Sequence, residues 1–131
     1  MPHWRSYCGY PPGASLSPAF DIVQPNVNFS GGFSRALAIG LMAKASGILS
    51  TPHCPNLSML PLFSSHYLLT VENTLPYLEY LIEDSPITDD LFLGFPEVQN
   101  GKITPSDKAG CGVSVNPDWL KKSEYKISKV D

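Results

Sequence analysis

From position 20 onward, short apolar runs alternate with longer stretches of helical period. Residues 20–25 (FDIVQP) are β-branched at their centre and closed by Pro25, which predicts a strand. Ser30-Gly31-Gly32 predicts a turn. Phe33, Ala36, Leu37, Gly40 and Leu41 then fall at i, i+3, i+4, i+7 and i+8, the apolar face of a helix. Gly47 is placed to be its C′ residue. Residues 48–51 form the next apolar run, stopped by Pro52. A second helix is expected to open near Asn56-Leu57-Ser58, with Ser58 as N-cap and Pro61 tolerated in the first turn. Leu60, Phe63, Tyr67 and Val71 continue one face, and Asn73-Thr74 ends it. Residues 76–82 (PYLEYLI) predict a third strand.

The order strand–helix–strand–helix–strand with short connections implies parallel strands and right-handed crossovers. Past position 83 the pattern dissolves into turns, a short hairpin region at Asn100-Gly101 and a polar tail, which reads as a wrapping segment. Residues 1–19 show neither period and are dominated by Gly and Pro from position 9 to 18, so they are expected to be an irregular lead-in to a unit of 20–131. Three parallel strands leave two open edges, and such a sheet expects neighbours that this sequence does not supply.

Composition narrows the classes. At 131 residues, 43% hydrophobic and 16% charged, the chain suits one globular domain. A net charge of -3 gives no basic footprint, so a nucleic-acid partner is not expected. No apolar run reaches membrane length, and the first residues lack the apolar core of a secretory signal. Cys8, Cys54 and Cys111 are odd in number and have no metal-site spacing, so a reducing, cytoplasmic setting is the default expectation.

In parallel α/β folds the reacting groups gather at the C-terminal ends of strands. Asn26 follows the first predicted strand, His53 follows the second, and Glu79 lies within the third. Each has a bland alternative. Asn26 can be a turn former ahead of Asn28 and Gly31. A lone histidine after a strand is usually structural, and Glu79 can be a solvated rim residue. His66, in the middle of a helix, reads as structural. Cys54 adjoins His53, but neighbours at a strand end rarely face each other, so a Cys–His nucleophile is not expected. Packing suffices to explain Cys111, and Gly31-Gly32 reads as a tight strand-to-helix turn rather than an anion site.

The same residues carry a family resemblance over roughly residues 20–125. The run DIVQPNVNFSGGFSRALAIGLMAKASGILSTPHCPN resembles the sixth and seventh βα units of the mandelate racemase/muconate lactonizing enzyme-like group of the enolase superfamily. PYLEYL resembles the eighth strand, and NGKITPSDKAGCGVSVNPDWL resembles the closing segment of acid-sugar dehydratases in that group. The resemblance implies an α/β fold, the last three βα strands of a partial (β/α) TIM-type barrel with a C-terminal wrapping segment. It implies Mg²⁺-dependent removal of a proton alpha to a carboxylate, in sugar-acid dehydration or in racemisation or epimerisation. It implies that His53 is the base on one face or the acid that assists loss of hydroxide. Glu79 would hydrogen-bond the substrate carboxylate or enolate, which needs a shared or resident proton.

Two departures from that pattern matter. Asn26 stands where an aspartate usually partners the histidine. A neutral amide orients without adding charge, so His53 is expected to be a weaker base than in aspartate-containing relatives. The family's carboxylate metal ligands belong to earlier strands, and residues 1–19 contain no Asp or Glu. Mg²⁺ takes several hard oxygens in near-octahedral array, so tight Mg²⁺ binding by this chain is not expected, nor is catalysis alone. The rival expectation is a non-catalytic piece that docks as a homo-oligomer or onto a homologous barrel subunit through its open edges.

Overall fold

Proline and glycine set the lengths of the first elements. The computed structural model describes residues 21–55, 58–82, 91–124 and 126–128. β1 is Ile22–Val23, and Pro25 follows it. β2 is Leu49–Ser50, and it pairs with β1 in parallel, Ile22 opposite Leu49 and Val23 opposite Ser50. Backbone bonding between the two runs continues past both strands. Leu49 N–H donates to Asp21 O at 3.3 Å, Thr51 N–H to Val23 O at 3.0 Å, and His53 N–H to Pro25 O at 3.0 Å. The regular two-residue step carries the segment after β1 and the segment after β2 to a common end.

Between them runs α1, Phe33–Ala45. It ends as predicted at Gly47, which takes φ +69°. The Gly47 N–H donates to Lys44 O at 3.1 Å and the Ile48 N–H to Ala43 O at 2.9 Å, the paired bonds of a Schellman motif. Ile48, Ala43 and Val23 close over that turn as one apolar cluster.

The buried face of α1 is narrower than the periodicity predicts. Ala36, Gly40 and Ala43 are its buried residues, whereas Leu41 is 63% exposed. At about 100° per residue, Leu41 lies about 140° around the helix from Ala36, outside the stripe. Phe33 and Leu37 flank the stripe and pack against the core from its side.

α2 is Leu60–Thr70. Its N-cap is Met59 and not the predicted Ser58, although the Ser58 hydroxyl still accepts the Leu60 N–H at 3.3 Å. With the cap one residue later, Pro61 falls at N2, where a missing N–H costs nothing. Asn56 and Leu57 lie outside the described residues. Leu60, Tyr67 and Val71 join Val27, Ala36 and Cys54 in the main core.

α1 and α2 meet at small residues. A Cβ on Gly40 would lie 2.6 Å from Tyr67 Oη and 2.9 Å from Val71 Cγ1. That gap lets the fully buried Tyr67 reach past α1 to hydrogen-bond the buried Ser50 hydroxyl of β2. Burial pushes the Tyr67 phenol above its ordinary value, and the Ser50 bond partly opposes this. Tyr67→Phe leaves a buried serine hydroxyl without its partner. The variant is expected to lose about 1–3 kcal/mol in urea unfolding; an unchanged midpoint would show that the bond contributes nothing.

The third predicted strand does not form as a ladder. Ser50 bridges Thr74 in parallel, through Ser50 N–H to Asn73 O at 2.9 Å and Leu75 N–H to Ser50 O at 3.1 Å. The next residue is Pro76, which has no N–H to offer. From there side chains take over. The Thr51 hydroxyl donates to Tyr77 O at 3.0 Å, and Cys54 N–H donates to the Glu79 carboxylate at 2.8 Å. Glu79 therefore lies in an irregular extended segment held alongside the end of β2.

The wrapping segment contributes two antiparallel pairs. β3 (Phe92–Leu93) pairs with β6 (Ser114–Val115), and β4 (Val98–Gln99) pairs with β5 (Lys102–Ile103). Asn100 and Gly101 turn the second hairpin at φ +52° and +72°, the left-handed pair that a two-residue turn of this kind requires. A short α3, Pro117–Leu120, follows, with the Asn116 side chain accepting the Asp118 N–H at its start. The architecture is α/β, part of a barrel. Among the described residues no helix is long and apolar enough to cross a membrane.

Candidate functional site

The ends of the three parallel segments converge on one hollow. Gln24, Thr51, His53, Tyr77 and Glu79 are among the residues lining a cavity of about 410 Å³. Thr51, Pro52 and His53 line it from the run after β2, and Tyr77, Leu78 and Glu79 from the segment held alongside.

The structure brings the three sequence-predicted residues to this place, in two layers. His53 and Glu79 line the cavity. Asn26 is 1% exposed and sits behind His53, with its Nδ2 3.3 Å from His53 Nδ1. The other atom of the same amide is engaged locally: Asn26 Oδ1 accepts Asn28 N–H at 3.0 Å and Phe29 N–H at 3.1 Å. The turn-former reading and the histidine-partner reading of Asn26 thus describe the two ends of one side chain.

His53 is held from both sides, its backbone N–H by Pro25 O and its ring by Asn26. Glu79 is held by the N–H of the residue after His53. With Oε2 accepting that N–H, Oε1 is the oxygen that can turn to an occupant. Cys54 itself points into the main core and is fully buried, away from the cavity.

Sequence reasoning passed over Thr51, Tyr77 and Gln24. Thr51 and Tyr77 stand two residues before His53 and Glu79, but Pro52 and Leu78 between them line the hollow too, so alternation does not single them out. His66 is helical, and its Nε2 is buried inside α2's packing rather than in the cavity. Gly31 and Gly32 both take positive φ, +89° and +99°, as the tight turn before α1 requires.

A Mg²⁺ ion does not fit the residues on hand. Glu79 is the carboxylate lining the cavity, and one of its oxygens already accepts a backbone N–H. Asp21 lies at the opposite end of β1. Among the described residues no group of three or more His, Cys, Asp or Glu side chains is placed to hold a metal. What the arrangement offers is the His53 ring and the Glu79 carboxylate facing one open hollow, with Pro52 and Leu78 among its apolar walls.

Comparison with known proteins places this geometry. Residues 16–119 match the family model described as enolase C-terminal domain-like. A "putative racemase" from Roseobacter denitrificans is similar at 40% identity and a TM-score of 0.75, over 86% of this chain and 32% of that one. An enolase of the mandelate racemase subgroup from Agrobacterium tumefaciens is 32% identical, with a TM-score of 0.65 over 79% of this chain and 27% of that one. An enolase from Pantoea ananatis, solved with bound D-gluconate and Mg, shares the fold at 22% identity and a TM-score of 0.66, over 79% of this chain and 25% of its own. The chain thus spans between a quarter and a third of the length of these structures.

Proposed function

Because the chain belongs to the enolase C-terminal domain-like family, with mandelate-racemase-type proteins among its structural neighbours, we propose that it supplies one wall of an active site that removes a proton alpha to a carboxylate. His53 and Glu79 are the groups that touch the substrate, and Asn26 is the residue that positions His53. The substrate class is a sugar acid or another small hydroxy-carboxylate, in dehydration or in racemisation or epimerisation. The bound D-gluconate of the Pantoea protein supports that class. The observation that carries the reading is the convergence of His53 and Glu79 on one cavity at the C-terminal ends of parallel segments, where barrel enzymes place their chemistry.

Mg²⁺ is bound in the Pantoea neighbour; an ion beside this wall would need its ligands from other strands, because the described residues here do not fit one. Glu79 Oε1 would share a proton with the substrate oxygen on which charge develops.

The test is a chimera in which this chain replaces the matching portion of the Roseobacter denitrificans protein. In D₂O with Mg²⁺, the purified chimera is expected to exchange the alpha proton of at least one sugar acid from a small panel, followed by NMR. A chimera that folds and binds Mg²⁺ but exchanges no proton would falsify the reading.

A second reading has its own observation. Leu41 (63%), Leu69 (73%) and Ile82 (94%) expose large apolar side chains, surface that docking onto a homologous barrel subunit would cover.

A further inference from the structure

The Asn26–His53 contact determines which ring nitrogen carries the proton. An amide nitrogen donates and cannot accept. Asn26 Nδ2 faces His53 Nδ1, so Nδ1 must present its lone pair. The opposite amide orientation would turn Nδ2 toward the N–H groups of Asn28 and Phe29, setting donors against donors and losing both backbone bonds of a buried side chain. Those two backbone bonds lock the amide, and the locked amide sets the ring.

We infer that Asn26 holds His53 in the Nε2–H tautomer, so that His53 offers the cavity a hydrogen-bond donor and not the lone pair that a general base needs. The identity of the occupant rests on the reading proposed above, while the tautomer rests on the hydrogen bonds alone. Loss of the Nε2 proton from a neutral ring would require an imidazolate. His53 therefore binds and polarises an oxygen, in the manner of a neutral electrophilic imidazole. Of the two proton-transfer roles that the family resemblance implies, base and acid, a neutral ring held as a fixed donor performs neither. A carboxylate or a developing enolate oxygen fits such a donor, and Glu79 lies on the same cavity wall to bind beside it. An aspartate at position 26 could accept the same two backbone N–H groups with one oxygen. Its other oxygen would accept from Nδ1–H, reversing the ring. In serine-protease triads the exchange of aspartate for asparagine inverts the histidine tautomer in the same sense, with the geometry otherwise intact.

The experiment is ¹⁵N NMR of the full chain labelled at histidine, at a pH where imidazole is neutral. The chain has three histidines, and the resonance pair missing from His53→Gln identifies the one that matters. In the unsubstituted protein, Nδ1 is expected at the shift of an unprotonated ring nitrogen and Nε2 at that of a protonated one. Asn26→Asp is expected to exchange the two. A protonated Nδ1 in the unsubstituted chain overturns the inference without need of any variant. An Asn26→Asp protein that folds and keeps the original pattern overturns Asn26 as the positioning residue. Either result leaves the chimera's turnover as it was, and a chimera without turnover leaves the ring shifts as they were, so the two failures are distinct.

Discussion

Glu79→Ala in the chimeric barrel is expected to lower the turnover number by about 10²–10³, the loss seen when one donor to a developing oxyanion is removed. The prediction follows from where the carboxyl group is anchored. Oε2 is fixed by the Cys54 N–H at 2.8 Å, so Oε1 is aimed without further ordering at the moment of reaction. Glu79→Gln provides the control. Its amide oxygen can keep the Cys54 bond while its nitrogen donates to the substrate oxygen, so most of the activity is expected to survive. Stopped-flow or coupled assays of both variants, with circular dichroism to show intact folding, separate the possibilities. Glutamine as poor as alanine would mean that Glu79 transfers a proton and does not act as a fixed donor.

Gly40→Leu is expected to be the most destabilising single change in the helical layer. Even a first carbon at this position lies 2.6 Å from Tyr67 Oη and 2.9 Å from Val71 Cγ1. Neither neighbour can yield cheaply, because Tyr67 is fully buried and bonded to Ser50 and Val71 is buried and β-branched. Overpacking of this kind costs about 1–3 kcal/mol or more, and a leucine adds three further carbons to the clash. Loss of the cooperative urea transition is expected. Gly40→Ala is milder, because alanine regains about 1 kcal/mol of helix propensity against glycine, and a modestly lower midpoint is expected. A leucine variant as stable as the parent would show that α1 and α2 can separate, contrary to their close packing at Gly40.

What the sequence made legible is what local chemistry decides. Gly47 announced the end of α1 because only glycine meets the left-handed C′ geometry without strain. Asn100-Gly101 announced its hairpin for the same reason. The strand ends carrying Asn26 and His53 could be found from Pro25 and Pro52, which punctuate their runs. Periodicity misled where tertiary packing chose among apolar residues. Leu41 fits an i, i+8 pattern, yet the partner helix selected the small side of α1, so alanine and glycine are inside and leucine is outside. Residues 76–82 have the composition of a strand, but a strand also needs a partner's donors and acceptors in register, and Pro76 interrupts them. Thr51 and Tyr77 had no signal of their own, since they line the cavity as members of the consecutive triplets 51–53 and 77–79. The proton on His53 could not be read from the sequence, because it depends on which way one buried amide is turned.

The seam between the end of β2 and the segment of Glu79 is stitched by two side chains where a sheet would use its backbone. That has an evolutionary consequence. Backbone pairing tolerates almost any side chain, so a barrel strand can normally change its chemistry without loosening its attachment. Here the carboxylate facing the cavity is also a fastening, and so is Thr51. A lineage drifting away from its ancestral reaction would still gain from Glu79 as a fastening after the needs of catalysis had lapsed. Retention of this glutamate among inactive descendants would therefore say little about activity, whereas the amide at position 26, free to become an acid within the same turn, is where a change of chemistry would leave its mark.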